Sequence, residues 1–267
     1  MRYLSIAAAA GVVALAACGD SGPAGTSQVA FGLATQATVP LVAPGLMATQ
    51  TFTDLSGNTL DLDSVYVVVR KLQLEGGPAN STCGIEHEGV HDSVTTVADS
   101  MGEDDCGELK FGPFLVALPL GAAGATQQFT ATVDTGTYAE VKFQIHPPQG
   151  SADAAFLAAH PEYAGVSVRV VGRWNGSPFV YTTGVTDVQH VEFNPPLVIG
   201  ESPASFTLFV DLTGWFRAGD GSLVDPATAL GEGVNAELVH QNIIHSFHAF
   251  EDDDHDGHDD QTEAGMH

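Results

Sequence analysis

The chain has 267 residues, of which 33 are acidic and 8 are basic, so its formal charge is -25 at pH 7. This excess of carboxylates excludes nucleic acid as a partner, because nucleic-acid binding depends on Lys and Arg that neutralise phosphates. A hydrophobic content of 44% with 14 Phe is enough for a core, which excludes a disordered acidic chain and predicts a folded domain.

The first residues predict a signal peptide over residues 1–17. Arg2 precedes an apolar run over residues 4–17, which is too short to span a bilayer as a mature helix. The run ends Leu15-Ala16-Ala17-Cys18. This ending resembles the lipobox of bacterial lipoproteins, and the resemblance implies cleavage before Cys18 and lipidation of that residue. An ordinary secretory signal with an incidental cysteine is the alternative.

The residues after Cys18 predict a tether and a location. Gly19 stands where lipoprotein sorting uses Asp for retention in the inner membrane, so the resemblance implies an outer-membrane anchor and makes the membrane a partner. Residues 18–27 contain Gly, Ser, Pro and Thr and predict a flexible linker. Removal of residues 1–17 deletes one base, Arg2, so 7 bases then face 33 acids and the formal charge becomes -26.

Residues 28–234 predict an all-β domain. Runs rich in β-branched and aromatic residues alternate with clusters of Gly, Pro, Asn and Asp, without long helices between them, which favours an antiparallel β-sandwich. Asn175-Gly176 predicts a type I′ hairpin, and residues 152–160 predict a short helix. The predicted strands are residues 28–35, 65–74, 108–118, 126–133, 137–146, 166–174, 179–183, 188–193 and 205–212.

Two cysteines remain once Cys18 is assigned to lipid. Cys83 and Cys106 enclose a polar, Gly-containing segment, as expected for a surface excursion. An exported chain lies in a compartment that permits disulfides, so we expect these two residues to form a bridge. Two free thiols are the alternative.

The same segment contains His87-Glu88-Gly89-Val90-His91, which matches the H-E-x-x-H pattern of zinc hydrolases. That chemistry needs a helix that places both imidazoles on one face of the metal, together with a third ligand. Gly89 and the β-branched residues 94–97 disfavour a helix, and no convincing third ligand follows. We therefore predict that the chain is not an enzyme, and a zinc hydrolase is an alternative reading of this motif.

Residues 235–250 predict an amphipathic helix that leads directly into the acidic C-terminus. Asn235 is placed to cap the helix at its N-terminus. Apolar residues recur at intervals of three and four, which is the spacing of one helix face. These residues are Ala236, Val239, Ile243, Phe247 and Phe250.

The acidic stretch over residues 251–267 begins EDDDHDGHDDQTE, which satisfies the calcium-loop pattern D-x-D-x-D-G-x5-E. Calcium prefers oxygen ligands of this kind. The predicted ligands are Asp252, Asp254, Asp256, His258 through its carbonyl, Asp260 and Glu263. Only four residues follow Glu263, so the stretch resembles the lone loops of dockerins and thrombospondin type 3 repeats more than a full EF-hand.

Two alternatives are open for this C-terminal region. The first is a transition-metal site in a periplasmic metal-binding protein, since imidazole suits zinc and copper. Its candidate ligands are His245, His248, His255 and His258. The second is a solvated acidic tail that binds no ion specifically.

Several segments together resemble the DUF4382-type bacterial lipoprotein domains. These are VYVVVRKLQLEG, FGPFLVALPLG, DTGTYAEVKFQI, SFTLFVDLTGWF and NIIHSFHAFEDDDHDGHDD. The resemblance covers most of residues 29–260 and implies a β-sandwich in the cell envelope, with no catalytic residues. The expected role is structural, or the binding of a protein or glycan partner that the sequence does not identify.

Overall fold

The structure of this protein is a computed structural model that describes residues 25–35, 49–76, 108–110, 112–120 and 126–251. Most of these residues lie in strands of two sheets, and the inner faces of the sheets share one apolar core. The prediction of a mainly β chain with a sandwich architecture is confirmed. Among the described residues, no helix has the length and apolar character needed to cross a membrane.

The described residues form twelve strands and two α-helices. In chain order they are β1 (Thr26–Thr35), β2 (Gln50–Thr53), β3 (Thr59–Gly76), β4 (Glu108–Lys110), β5 (Phe114–Ala117), β6 (Thr126–Asp134), β7 (Gly136–Ile145), α1 (Ala154–Ala159), β8 (Val168–Trp174), β9 (Ser177–Thr183), β10 (Asp187–Ile199), β11 (Ala204–Val210), α2 (Ala236–Ile244) and β12 (Phe247–Glu251). Most of the predicted strands are found within one to three residues of their predicted starts. The predicted strand over residues 108–118 is two short strands, and β2 was not predicted.

The smaller sheet has the strand order β12-β11-β1-β6. Its pairs are antiparallel except for β1 with β11, which run parallel from Val29 opposite Ala204 to Thr35 opposite Val210. One pair of the sandwich is therefore parallel, which the sequence did not predict. Parallel neighbours need a long crossover connection, and here the chain between the two strands builds the larger sheet before it returns.

The larger sheet has the order β10-β7-β3-β8-β9, and β2, β4 and β5 also pair with β3. The 18 residues of β3 make it long enough to pair with different partners along its length. Its first half pairs with β2 and β8, and its second half pairs with β4 and β7. The register shifts between Arg70 and Gln73, where Lys71 has a φ of 50°. This β-bulge ends the regular alternation at the middle of the strand.

The core is formed by inward-facing residues of both sheets, which pack together in one cluster. Phe143 of β7 packs edge-on against Phe247 of β12, with ring centroids 5.4 Å apart. Burial of an aromatic side chain of this size stabilises the fold by about 1.5–3 kcal/mol. Trp215 is fully buried, and its indole Nε1 donates to Ser246 Oγ at 2.9 Å, so the one polar atom of its ring is satisfied.

The β8–β9 hairpin has the predicted turn. Asn175 and Gly176 have φ values of 49° and 79°, as a type I′ turn requires at both central positions. Asn175 Oδ1 also accepts a hydrogen bond from the backbone N–H of Thr59 at 2.8 Å, which joins the turn to the start of β3. The prediction of a type I′ hairpin is confirmed.

The C-terminal helix is shorter than the predicted one over residues 235–250. It ends at Ile244, and a turn leads into β12, which pairs antiparallel with β11 from Phe247 opposite Val210 to Glu251 opposite Phe206. The prediction is therefore wrong for residues 245–250. Val239, Ile243 and Phe247 are spaced four residues apart, and this spacing places them on one face of either a helix or a strand. The strand forms after the turn because it pairs with the open edge of β11 and so satisfies the backbone groups of that edge.

Candidate functional site

Most of the residues that the sequence singles out for chemistry lie outside the described residues. They are Cys18, Cys83, Cys106, His87, Glu88, His91, Asp252, Asp254, Asp256, His258, Asp260 and Glu263. The described strands nevertheless fix where two of these segments attach. The segment over residues 77–107 leaves β3 and returns into β4, which pairs with β3, and the acidic segment directly follows β12.

The described histidines of the C-terminal region lie at the surface. His245 follows the last residue of α2, and His248 lies on β12, and both are exposed. Within the described ranges, no group of three or more His, Cys, Asp and Glu side chains is arranged to hold a metal ion. The transition-metal reading would therefore need His255 or His258, which lie outside those ranges.

Charged side chains of the described region concentrate on the outer face of the larger sheet. They occupy the positions of β3, β7, β8 and β10 that alternate with core residues, so their side chains point away from the core. These outward residues include Asp61, Asp63, Arg70, Glu75, Glu140, Lys142, Arg169, Arg173, His190 and Glu192. Four of the chain's 8 basic residues are in this set, although the chain as a whole is strongly acidic.

Part of this face is enclosed by the cover segment, which we define as residues 147–167. It contains α1 and a 3-10 turn at Pro161–Tyr163. Val68 of β3 alternates with the core residues Val67 and Val69 and so points toward the cover segment, yet it is fully buried. The backbone N–H of Val68 donates to Ser167 O at 2.7 Å, which fixes the end of the segment to the sheet.

Arg70 and Asp153 form an ion pair beneath the cover segment. Arg70 Nη1 lies 3.0 Å from Asp153 Oδ2, and Nη2 lies 3.4 Å from Oδ1, so the guanidinium meets both carboxylate oxygens. The two side chains are only 12% and 5% exposed. Asp153 also accepts the backbone N–H of Gln149. Since water is largely excluded, each charge depends on the other for its stabilisation.

Outside the cover segment, the contacts between oppositely charged groups of the outer face are partly exposed to water. Lys142 Nζ lies 3.0 Å from Glu75 Oε1, and His190 Nδ1 lies 3.2 Å from Glu140 Oε1. Partial burial raises the pKa of Glu75, but the hydrogen bonds from Lys142 and Gln73 and the charge of Lys142 outweigh it, so the pKa is lowered overall. This part of the face therefore carries acidic and basic side chains next to one another.

Tyr163 and Arg169 lie where the cover segment meets β8. Tyr163 is buried, and that burial raises the pKa of its phenol to about 12, while the positive charge of Arg169 acts in the opposite direction. Arg169 lies directly opposite Tyr66 in the pairing of β8 with β3. The arrangement presents a half-buried guanidinium beside two phenols, which can bind an anionic group.

These outer-face residues belong to none of the motifs that the sequence offers for chemistry. The available signal was the alternation of VRVVGRW, in which Arg169 and Arg173 occupy positions facing away from a strand's apolar side. That signal places both arginines on one face, but it does not say which of them has a carboxylate partner.

The fold defines the chain as a two-sheet, mainly β domain with a charged outer face. No protein-family model and no curated protein sequence matches the chain. Among solved structures, it is similar to MbnP from Methylosinus trichosporium, with a TM-score of 0.40 and 13% sequence identity over 85% of this chain and 99% of that one. The resemblance to DUF4382-type domains stays a prediction.

Proposed function

We propose that this chain is a lipid-anchored protein of the bacterial cell envelope, and that it acts by binding and not by catalysis. Its β-sandwich binds a ligand or partner, and its C-terminal segment over residues 252–263 binds one calcium ion weakly. The observation that carries the binding role is the charged outer face of the larger sheet, which holds four of the chain's 8 basic residues although the formal charge of the chain is -25.

The anchor is supported by the ending Leu15-Ala16-Ala17-Cys18 and by the position of the first strand. Because β1 begins at Thr26, residues 19–25 form the whole connection between Cys18 and the sandwich. An extended chain spans at most about 3.5 Å per residue, so this tether holds the domain within about 25 Å of the lipid surface. A protein so held meets ligands at the membrane and not in bulk solution.

Replacement of Cys18 by Ala tests the anchor. We expect unprocessed precursor to accumulate in the cells, as it should also when globomycin blocks the lipoprotein signal peptidase. The matched control is Gly19→Ala, which leaves the cysteine intact and should be processed. Normal processing and release of the Cys18→Ala protein would contradict the anchor and favour an ordinary secretory signal.

The calcium proposal is supported by the strand that precedes the acidic segment. Phe250 and Glu251 of β12 lie opposite Thr207 and Phe206 of β11, so the segment starts from a paired strand and not from a fraying helix end. A cation bound by residues 252–263 offsets the repulsion among their carboxylates and so stabilises the end of this pairing. For a lone loop of this kind, the dissociation constant is on the order of 0.1–1 mM.

Calorimetric titration with calcium and then with zinc tests this part. We expect calcium heat at millimolar concentrations, which Asp252→Ala and Glu263→Gln weaken. His255→Ala is the matched control and should leave calcium binding unchanged, because oxygens are the proposed ligands. Zinc binding that depends on His255 and His258, without calcium heat, would support the transition-metal alternative. No heat with either metal would support a solvated acidic tail.

The predicted bridge between Cys83 and Cys106 is supported by the attachment of its segment to the paired strands β3 and β4. Closing a loop of this length stabilises the fold by a few kcal/mol in the chain-entropy model. We expect both cysteines to resist alkylation until a reductant is added, as mass spectrometry would show. Modification without reductant would leave two free thiols.

The absence of catalysis is tested at the H-E-x-x-H motif. We expect no zinc-dependent peptidase activity from the purified protein. A chelator-sensitive activity that disappears in Glu88→Gln would contradict this proposal and support a zinc hydrolase, since the glutamate of that motif activates the metal-bound water.

A further inference from the structure

Arg169 lies in the second strand from one edge of the larger sheet, on the outer face. Its neighbours Val168 and Val170 are fully buried in the core, so the guanidinium of Arg169 points away from it. In the pairing register, Tyr66 of β3 and Thr182 of β9 lie directly opposite Arg169 on either side. Directly opposite residues share one face, so the base of the arginine is flanked by a phenol and a hydroxyl.

Arg169 differs from Arg70, Lys142 and Arg173 of the outer face in having no carboxylate partner among the residues that the structure describes. Arg70, Lys142 and Arg173 each lie 3.0–3.2 Å from a carboxylate oxygen. Arg169 forms no ion pair and no direct hydrogen bond with any residue in the described ranges. The chain has 33 acidic residues for 8 basic ones, so a half-buried guanidinium without a carboxylate partner among the described residues does not reflect a shortage of carboxylates.

The cover segment supplies a second phenol at this position. The charges of Arg169 and Tyr66 both act on the hydroxyl of Tyr163, so the three side chains lie near one another. The ring of Tyr163 is held by Phe156 and His160, with centroids 6.3 and 6.2 Å away. Glu162 is the nearby carboxylate, but its Oε1 lies 4.0 Å from His160 Nδ1 and it is half exposed.

The charges limit which ligand this arrangement accepts. A guanidinium binds a carboxylate through two parallel hydrogen bonds, and phenols can donate to the same oxygens. One unpaired cation balances one negative charge, whereas the strongly acidic chain repels an anion of higher charge. The match is therefore a singly charged carboxylate.

We propose that Arg169, with Tyr66 and Tyr163 beside it, binds the carboxylate group of a ligand. The site is independent of the lipid anchor and of the calcium segment. It lies at the junction of the sheet with the cover segment. It rests on the proposed binding function and specifies which residues contact the ligand.

The experiment uses the full chain labelled with 15N-arginine and titrated with benzoate at constant ionic strength. The chain has five arginines, so the side-chain Nε–H signals are few and are assigned by substitution. We expect benzoate to move the Arg169 signal to saturation, with a dissociation constant on the order of 1–10 mM for a ligand of this size. Benzamide has nearly the same shape without the charge, and it should move nothing.

Substitutions separate a specific contact from a general charge effect. Arg169→Met should abolish saturable binding, whereas Arg173→Met, on the same strand and face, should leave it unchanged. Arg169→Lys keeps the charge but loses the planar guanidinium that makes two parallel hydrogen bonds, so it should weaken binding several-fold. This variant replaces Arg169→Met in the test if Arg169→Met fails to fold. The proposal would be overturned by benzoate shifts that do not saturate or by saturable shifts that persist in Arg169→Met. Tighter binding of sulfate than of benzoate would also overturn it.

Discussion

Two Arg–Asp pairs on the same outer face differ mainly in how far water reaches them. The charged atoms of Arg70 and Asp153 approach to 3.0 Å, and those of Arg173 and Asp63 to 3.2 Å. The first pair is 12% and 5% exposed beneath the cover segment, whereas the second is 48% and 25% exposed. Because solvent screening and desolvation decide the energy of an ion pair, nearly equal distances conceal very different contributions to stability.

The largest effect is expected when the enclosed pair is broken. Asp153→Ala leaves the guanidinium of Arg70 nearly buried without a counter-charge, which should lower the free energy of unfolding by about 3–5 kcal/mol. Urea denaturation followed by circular dichroism measures the loss. The matched double change, Arg70→Met with Asp153→Leu, removes both charges and should recover most of it. A loss below about 1 kcal/mol in Asp153→Ala would remove the distinction between the two pairs.

Asp54 is a second buried carboxylate, and within the described ranges it has no cation partner. Its oxygens accept hydrogen bonds from Ser56 N, from Asn58 N and Nδ2, and from Leu223 N, all at 2.9–3.0 Å. The hydrogen bond from the Asn58 side chain and those from backbone N–H groups, that of Leu223 first, lower the pKa of Asp54 from 3.8 to about 2. The charged form is therefore favoured in the folded state.

The lowered pKa of Asp54 predicts a pH dependence. Its contribution to stability should be complete above about pH 4 and should be lost as the pH falls toward 2, because the unfolded chain then binds the proton first. We expect the urea midpoint of the native protein to exceed that of Asp54→Asn at pH 6 and to approach it at pH 2. A difference that stays constant over this range would contradict the assignment.

The partly exposed pair of Lys142 and Glu75 should lie between these extremes. A double-mutant cycle with Lys142→Met and Glu75→Gln should give a coupling free energy of about 0.5–1 kcal/mol, reduced in 1 M salt by screening. The pKa of Glu75 is lowered from 4.5, so the coupling should be present above that pH and lost as the pH falls below it. A coupling that salt does not change would mean that the pair is enclosed.

The smallest effect is expected at the open pair. Arg173→Ala should change the free energy of unfolding by less than about 0.5 kcal/mol, because both side chains reach water. Differential scanning calorimetry of this variant beside Asp153→Ala gives the comparison under one set of conditions. A loss as large as that of Asp153→Ala would show that solvent exposure does not separate the two pairs.

The sequence by itself determined most of the strands and the position of one hairpin turn. Alternation of apolar and polar residues fixes the inward and outward faces of β7 and β8, since successive side chains of a strand point to opposite sides. Asn175-Gly176 determines its own turn, because both residues tolerate a positive φ. These features depend on neighbours in the chain and so can be predicted from them.

Only the tertiary structure decided what depends on distant residues. The parallel pairing of β1 with β11, the end of α2 at Ile244 and the pairing of β12 each result from an edge or a partner far away in the chain. The same is true of the charges, since the sequence places Arg70, Arg169 and Arg173 alike at outward positions. The cover segment encloses Arg70, Arg169 has no carboxylate partner within the described ranges, and Arg173 is exposed to water. These differences arise because burial and partners are properties of packing and not of spacing.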